Sequence, residues 1–330
     1  MIRALFLLLL LVPLAASAQL DGAFSGNATP AITIKPEFPA PGSTVTASVE
    51  TYSFPVVTSR TVWRVNGAVF EEGTGIRQIT YVLPEDGTPV VLDFLATTDG
   101  GDTREATYIV TPGVVDVIVE GDGYAPDWYE GAVLPRYHGT ARLVAFPTIR
   151  DRKGALVDPK SLIYTWKDED ERTLLSYSGV GRQSAIIDNL IPLRTREVVL
   201  TVASRDGTIR TGKRILIKPA APAFKLYRVS PLFGIDTKRV LSGTYTLSDE
   251  EVVLSVEPFG AEGRTRDAVN LTYGWRVNSR PVESGNTDKG TITLRTAGTG
   301  RGSVPVSVEG RHPERAFLSG KAEVALSFSR

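Results

Sequence analysis

The chain has 330 residues, 37 Lys plus Arg against 37 Asp plus Glu, 42% hydrophobic residues and no cysteine. A formal net charge of zero, without a basic cluster, lacks the electrostatic footprint of a nucleic-acid binder. The lack of cysteine excludes disulfides, thiolate metal sites, cysteine nucleophiles and a lipidated cysteine anchor. The composition is that of a globular protein, and the length suits two or three domains.

The N-terminus has the pattern of a secretory signal peptide. A positive start at Arg3 precedes an apolar run over residues 4–14, and Ala16-Ser17-Ala18 matches the small-x-small cleavage pattern. The run is shorter than the ~20 residues that span a bilayer. We therefore expect a signal peptide at 1–18 and a flexible segment at 19–28, with no transmembrane segment after cleavage. The alternative is that the apolar run is retained as an anchor.

Three tryptophans mark an internal repeat. Trp63, Trp166 and Trp275 are 103 and 109 residues apart, and the first and third each begin the tetrapeptide Trp-Arg-Val-Asn. This spacing is the length of one immunoglobulin-type sandwich domain.

Other sequence features recur in the same order after each of the three tryptophans. A glycine-bearing stretch and an alternating segment follow it, then a strongly apolar run, a turn and a closing alternating run. The apolar runs are 90–96, 198–203 and 304–308. β-Branched residues with a period of two dominate these runs, and no stretch after the N-terminal apolar run shows a period of 3.6. The pattern predicts an all-β chain of three tandem immunoglobulin-like β-sandwich domains, at 29–112, 113–219 and 223–330, separated by proline-bearing linkers.

In an immunoglobulin-type domain, the third strand carries a buried tryptophan. Trp63, Trp166 and Trp275 are therefore predicted to be structural core residues. Because the usual cysteine pair is absent, we expect each indole to pack against aliphatic residues of the strand that follows.

Two stretches resemble known proteins. Residues 39–47, with a Pro-x-Gly turn leading into a strand, resemble the opening of polycystic-kidney-disease-type (PKD-like) and related bacterial immunoglobulin-like domains. Residues 124–135, followed by 141–147 and 162–166, are similar to uncharacterised exported proteins of candidate-phylum bacteria of the Parcubacteria type. The resemblance covers most of the chain after the signal peptide. It implies an association with the cell envelope or with type IV pilus machinery, and no activity.

Residues for catalysis or metal binding are scarce. The only two histidines, His138 and His312, fall in different repeats, and neither has a second histidine nearby for a zinc site. A serine triad depends on geometry, but no Gly-x-Ser-x-Gly motif is present. Acidic loops at 99–102 and 168–171 lack the regular spacing of a calcium loop. We expect no catalytic residue, no metal and no cofactor, with calcium in a loop as an open alternative.

One aromatic cluster stands outside the repeat. Tyr124, Trp128, Tyr129 and Tyr137 lie in a connection rich in proline and glycine, where loops commonly carry function. The rings are predicted either to form an exposed platform for a sugar or a protein partner, or to cover the second sandwich or pack between domains.

These observations favour a non-catalytic extracellular, periplasmic or cell-surface protein that serves as a structural, adhesion or protein-interaction module. Its partner would be another envelope or surface protein, or a glycan. The alternative is a carbohydrate-binding accessory protein that uses the Trp128 region.

Overall fold

The computed structural model describes residues 30–51, 54–151, 153–282, 290–296 and 301–329, without the side chain of Ser329. The predicted signal peptide and the segment 19–28 lie outside the described residues. Within these ranges the chain is built from β-strands, and its helical content is three short 3₁₀ turns. No helix in this part of the chain has the length and apolarity needed to cross a membrane.

The first repeat forms two sheets. Its strands are β1 (Ala31–Lys35), β2 (Thr44–Glu50), β3 (Arg60–Val65), β4 (Ala68–Thr74), β5 (Gln78–Val82), β6 (Val90–Thr97) and β7 (Thr103–Val110). One sheet has the order β1-β2-β5 and the other β4-β3-β6-β7. Burial alternates residue by residue along β2 and β6, as expected of strands with one face in a core.

The second repeat has the same strand order. Its strands are β8 (Gly113–Gly121), β9 (Ala141–Ile149), β10 (Ile163–Lys167), β11 (Gly179–Val180), β12 (Ser184–Ile187), β13 (Arg196–Ala203) and β14 (Arg210–Ile217). The sheets are β8-β9-β12 and β11-β10-β13-β14. Their inner faces share one apolar core that includes Leu143, Trp166 and Leu200. This two-sheet arrangement is the immunoglobulin-like sandwich that the sequence predicts.

The third repeat is a larger variant. Its strands are β15 (Ala223–Ser230), β16 (Gly234–Ile235), β17 (Thr244–Thr246), β18 (Glu251–Phe259), β19 (Thr272–Val277), β20 (Arg280–Pro281), β21 (Thr291–Arg295), β22 (Arg301–Arg311) and β23 (Ser319–Ser329). The sheets are β16-β15-β18-β21 and β17-β23-β22-β19-β20. Strand β15, which pairs with β18, is not predicted from the sequence. The short β17 is in the other sheet, parallel to β23.

The three repeated tryptophans occupy equivalent places. Each lies on the third long strand of its repeat and is at most 2% exposed. Trp166 pairs across the sheet with Leu200, and Trp275 pairs with Val308. The expectation of aliphatic packing is wrong for the first repeat, where Trp63 lies opposite Phe94 with the ring centroids 4.9 Å apart. A tilted aromatic pair fills this part of the core and adds a favourable ring contact.

Two of the buried indole N–H groups donate to a backbone carbonyl at the same place in the repeat. Trp63 Nε1 donates to the carbonyl of Ile76 at 3.1 Å, and Trp166 Nε1 donates to that of Arg182 at 3.0 Å. Both carbonyls lie two residues before a strand, β5 and β12 respectively. Among the described residues Trp275 Nε1 has no such acceptor. A buried N–H normally needs an acceptor, and the first and second repeats supply it from the same place in the fold.

The chain divides into two compact units. The first contains the residues up to Ile34, Thr46–Tyr81 and Val91–Tyr108, and the second contains Lys35–Val45, Val82–Val90 and Ile109–Arg330. The second and third repeats thus belong to one unit, and the site described below lies wholly within it. The predicted domain boundaries at 112–113 and 219–223 stay predictions.

Candidate binding site

The connection between β8 and β9 contains a compact loop whose ends meet. At its start, Gly121 N donates to the carbonyl of Val133 at 2.7 Å. A Cβ on Gly121 would lie 2.2 Å from the carbonyl oxygen of Leu134, so the two ends of the loop can cross this closely only at glycine. We call residues 122–136 the junction loop. Compact surface loops of this length are frequently functional.

Backbone contacts hold the junction loop on the third repeat. Tyr124 N donates to the carbonyl of Ala261 at 2.7 Å, and Gly260 N donates to the carbonyl of Tyr124 at 2.7 Å. Next to them, a Cβ on Gly123 would lie 2.7 Å from the Cα of Gly260. Two main chains that approach this closely leave no space for a side chain between them.

A buried polar pair lies behind these contacts. Tyr124 is 4% exposed, and its hydroxyl donates to Oε2 of Glu257, itself 2% exposed, at 2.7 Å. Arg266 Nε lies 3.8 Å from the other carboxylate oxygen of Glu257. Burial, followed by the hydrogen bond and the negative charge of Glu257, raises the pKa of Tyr124 well above its ordinary value. The phenol is therefore a hydrogen-bond donor throughout the neutral range.

A second anchor lies at the end of the junction loop. Arg136 is 8% exposed, and its guanidinium lies 3.0 Å from Asp122 and 3.6 Å from Glu262 of the third repeat. Ala220, in the linker between the second and third repeats, adds two backbone hydrogen bonds. Its N–H donates to the carbonyl of Pro135, and its carbonyl accepts from the N–H of Tyr137. A buried guanidinium needs such compensation by carboxylates, so the anchor ties the loop, the linker and the third repeat together.

The structure separates the four aromatic residues that the sequence singles out. Tyr124 and Tyr137 are buried at 4% and 9% exposure, whereas Trp128 and Tyr129 are 36% and 41% exposed. Trp128 packs edge-to-face on Tyr227 and Phe259, with centroid distances of 5.3 and 5.9 Å. Tyr129 meets Phe259 in the same way at 5.1 Å. The four rings do not share one surface, and the outer two lie against the third repeat.

An apolar cleft of about 280 Å³ lies between the junction loop and β15 and β18. Aromatic and aliphatic side chains form most of its wall, among them Tyr129, Val133, Tyr227, Val240 and Phe259. This volume is at the small end for a ligand pocket and suits one bulky side chain. We call this feature the junction cleft.

Two cations line the junction cleft, and they differ in their ion-pair partners. Lys225 is exposed on β15 and lines the cleft, and it forms no ion pair with any described residue. Arg136 also lines the cleft, but its charge is matched by Asp122 and Glu262. The cleft therefore combines apolar walls with one exposed positive group, Lys225, whose charge no described carboxylate matches.

Sequence reasoning missed the third-repeat side of this site. Tyr227, Glu257 and Phe259 lie on β15 and β18 and look like ordinary strand residues. By alternation along β18, Glu257 is on the outward face of the strand, where a glutamate is ordinary. No local pattern identifies Tyr124 as its partner.

The histidines and the acidic loop have local contacts. His312 Nδ1 accepts from the backbone N–H groups of Glu314 and Arg315 at 3.1 Å each, and His138 is exposed in a left-handed backbone conformation. Burial opposes ionisation of Asp168, but hydrogen bonds from Arg172 and Asp170 outweigh it and hold the pKa of Asp168 below its usual value. The described residues contain no cluster of ligands for a metal ion.

No protein-family model matches the chain, and no curated protein matches it. Several solved structures show a distant likeness. The central fibronectin-III array of RIM-binding protein is 12% identical, with 90% of this chain and 96% of that chain covered and a TM-score of 0.32. Immunoglobulin domains 1–5 of Sidekick-1 are 15% identical, with 91% and 59% covered and a TM-score of 0.27. SGBP-B of a Bacteroides ovatus mixed-linkage glucan utilization locus, solved with a mixed-linkage heptasaccharide, is 15% identical, with 92% and 71% covered and a TM-score of 0.24.

These likenesses are too distant to carry an argument about function. The assignment of the fold follows from strand order, register and the buried tryptophans of the chain itself. On those observations the chain is a tandem array of immunoglobulin-like β-sandwiches.

Proposed function

We propose that this chain is an exported, non-catalytic protein of immunoglobulin-like domains that works by binding protein partners, and that the junction cleft is its contact site. The observation that carries the proposal is a cleft with apolar walls of Tyr129, Tyr227 and Phe259, held open by a loop that is fixed at both ends. Desolvated pockets with aromatic walls are where bulky anchor side chains of a partner bind most tightly.

The chemistry of the cleft favours an apolar side chain over a sugar. A sugar ring carries hydroxyl groups around its whole rim, and each hydroxyl that is buried without a hydrogen bond costs free energy. The walls offer few polar groups, chiefly the ammonium of Lys225, the guanidinium of Arg136 and tyrosine hydroxyls. Lys225 adds a preference for a carboxylate next to the apolar group.

Carbohydrate binding is the second candidate, because Trp128 and Tyr129 are neighbours and both are partly exposed. The edge-to-face packing of Trp128 against Tyr227 and Phe259 occupies part of that surface. A glycan array with the wild type and Trp128→Ala distinguishes the candidates. Sugar binding that depends on Trp128 would replace the proposal.

Peptide selection tests the protein-binding proposal directly. Random peptides would be selected on the wild type and on Ala221→Trp, which fills the cleft from an exposed position on its wall. Ala68→Trp, at an exposed alanine of β4, is the matched control. We expect enrichment of a bulky apolar residue beside an acidic one on the wild type and on Ala68→Trp, and loss of that motif on Ala221→Trp. The same motif on all three proteins would contradict the proposal.

Export is tested separately. A periplasmic reporter fused after residue 28 would be active if the N-terminal segment directs secretion. The mass of the exported protein would show cleavage after Ala18, or the full chain if the apolar run is retained as an anchor.

A further inference from the structure

The hairpin between β15 and β16 ends in two exposed apolar side chains. Leu232 is 85% exposed and Phe233 is 88% exposed. The turn is ordered, since Ser230 Oγ accepts from the backbone N–H groups of both residues at 3.4 Å and Gly234 takes the left-handed conformation that closes it. Single exposed apolar residues are common on surfaces. Here two large ones are adjacent, on a turn whose backbone holds them outward.

The tip follows the end of β15, whereas the junction cleft is lined by residues earlier on that strand. Tyr227, on β15, lines the cleft, and Leu232 follows five residues later. β15 ends at Ser230, so three residues of strand, about 10 Å at 3.3 Å per residue, and then the turn separate the two features. Pairing of β15 with β18 from Ala223 to Val229 fixes the strand in place. The tip therefore cannot fold back into the cleft of its own chain.

The charges beside the two features are opposite. Asp236 lies three residues beyond Phe233 and is exposed. Its carboxylate accepts from the backbone N–H of Lys238 at 3.2 Å and forms no ion pair with any described residue. The cleft carries Lys225 without an ion-pair partner among the described residues. The tip thus presents two bulky apolar side chains close to a carboxylate, which is the chemistry that the cleft selects.

We propose that the occupant of the junction cleft is the Leu232–Phe233 tip of a second copy of this chain. This inference rests on the proposed function and names the partner. Because each copy uses two different surfaces, the contact is heterologous, and every copy bound by its tip still offers an open cleft. Association therefore continues head to tail beyond a dimer.

The contact is small. A standard stable interface buries about 1,600 Å², and two side chains with their turn bury far less. We therefore expect reversible association that is visible at high protein concentration and not a permanent oligomer.

Sedimentation velocity over a series from micromolar to millimolar protein measures this association on the exported form that lacks residues 1–18. We expect a sedimentation coefficient that rises with concentration for the wild type. Phe233→Ala and Ala221→Trp should each weaken association by about tenfold or more. Leu175→Ala removes a side chain that is 83% exposed in the second repeat and should leave association unchanged. All three positions are exposed, so these variants should remain folded.

A mixing experiment separates this contact from non-specific adhesion. Phe233→Ala keeps an intact cleft, and Ala221→Trp keeps an intact tip. Neither should associate alone, but the two together should form a one-to-one complex that does not grow further, because only one cleft and one tip are intact. A mixture that stays monomeric, or that grows without limit, would overturn the proposal.

Two other outcomes also decide the question. A wild type that is monomeric at every concentration, while selected peptides still bind the cleft, overturns self-association and leaves the proposed function standing. If the peptides also fail to bind, both fall. Loss of binding to anionic lipid vesicles in Phe233→Ala, with no self-association of the wild type, would assign the tip to a membrane surface and overturn the proposal.

Discussion

The hydroxyl of Tyr124 donates a 2.7 Å hydrogen bond to the carboxylate of Glu257, although the two residues are 133 positions apart in the sequence. Both are buried, one in a loop of the second repeat and one on a strand of the third. Within its own repeat Glu257 has Ser255 at 3.4 Å and Arg266 at 3.8 Å, both at its other carboxylate oxygen, so the shortest of these contacts is the one that crosses to Tyr124. The pair therefore couples the folding of the junction loop to the third repeat.

Tyr124→Phe removes the hydroxyl and keeps the ring. A buried carboxylate that loses a donor costs about 1.5–3 kcal/mol, so we expect the free energy of unfolding to fall by about that amount in urea titrations. Tyr129→Phe is the matched control, since Tyr129 is 41% exposed and should change stability by less than about 0.5 kcal/mol. Equal effects of the two variants would contradict a special role for the Tyr124–Glu257 pair.

Stability should also fall at alkaline pH. Burial and Glu257 raise the pKa of Tyr124 in the folded state above that of an unfolded tyrosine, about 10. A raised pKa favours the protonated phenol in the folded state, so its contribution is complete below the unfolded pKa and is lost as the pH rises through the folded pKa. Unfolding titrations should show a level contribution from about pH 8 to pH 9 and a decline that begins near pH 10.

Tyr124→Phe should make that decline shallower without abolishing it. Burial raises the pKa of Tyr164 to about 12 and also raises the pKa of Tyr227 and Tyr273. Their ionisation should still lower the free energy of unfolding of the variant as the pH rises. An identical slope in the two proteins would show that Tyr124 ionises as freely in the folded state as in the unfolded chain.

The repeated tryptophans and Trp128 should differ in their contribution to stability. Trp166→Phe leaves a gap in a core where the indole is 0% exposed and leaves the carbonyl of Arg182 without its donor. We expect a loss of about 2 kcal/mol or more. Trp128→Phe, at a residue that is 36% exposed, should cost about 1 kcal/mol or less. Thermal and urea unfolding measure the two losses of stability. A larger loss for Trp128→Phe than for Trp166→Phe would refute the structural role of the repeated tryptophans.

Gly123→Ala tests the close approach of the two main chains. The new Cβ would lie 2.7 Å from the Cα of Gly260, so backbone must move, at a cost of about 1–3 kcal/mol. We expect faster proteolysis within the junction loop. Gly274→Ala is the matched control, because nothing lies within 4 Å of its Cβ position on β19, and it should leave proteolysis unchanged. If Gly123→Ala resists proteolysis as well as the wild type does, the close contact between Gly123 and Gly260 is excluded.

The fold was predictable because its signals are local. The period of two along β2, β6 and β13 and the recurrence of Trp63, Trp166 and Trp275 identify sandwiches without any knowledge of long-range contacts. Strand β15 was missed although Phe224 and Leu226 alternate there, because the preceding prolines at 219 and 222 indicate a linker that continues into it.

The candidate site was only half predictable. Tyr124, Trp128 and Tyr129 are conspicuous because aromatic residues are out of step with the repeat in a loop rich in proline and glycine. Tyr227 and Phe259 have no such signal, since aromatic residues are normal in strands. Which loop meets which strand depends on how the two repeats pack together, and a single sequence carries no local pattern for that packing.

The central claim is that the junction loop holds the second and third repeats in one arrangement. The chain has no cysteine of its own, so spin labels can be placed on Ile186→Cys in β12 and Lys321→Cys in β23, both exposed. Pulsed electron paramagnetic resonance then measures the distance between the repeats. We expect one narrow distance distribution for this doubly labelled protein and a broadened one when Gly123→Ala is added. A broad distribution before Gly123→Ala is added would contradict the claim.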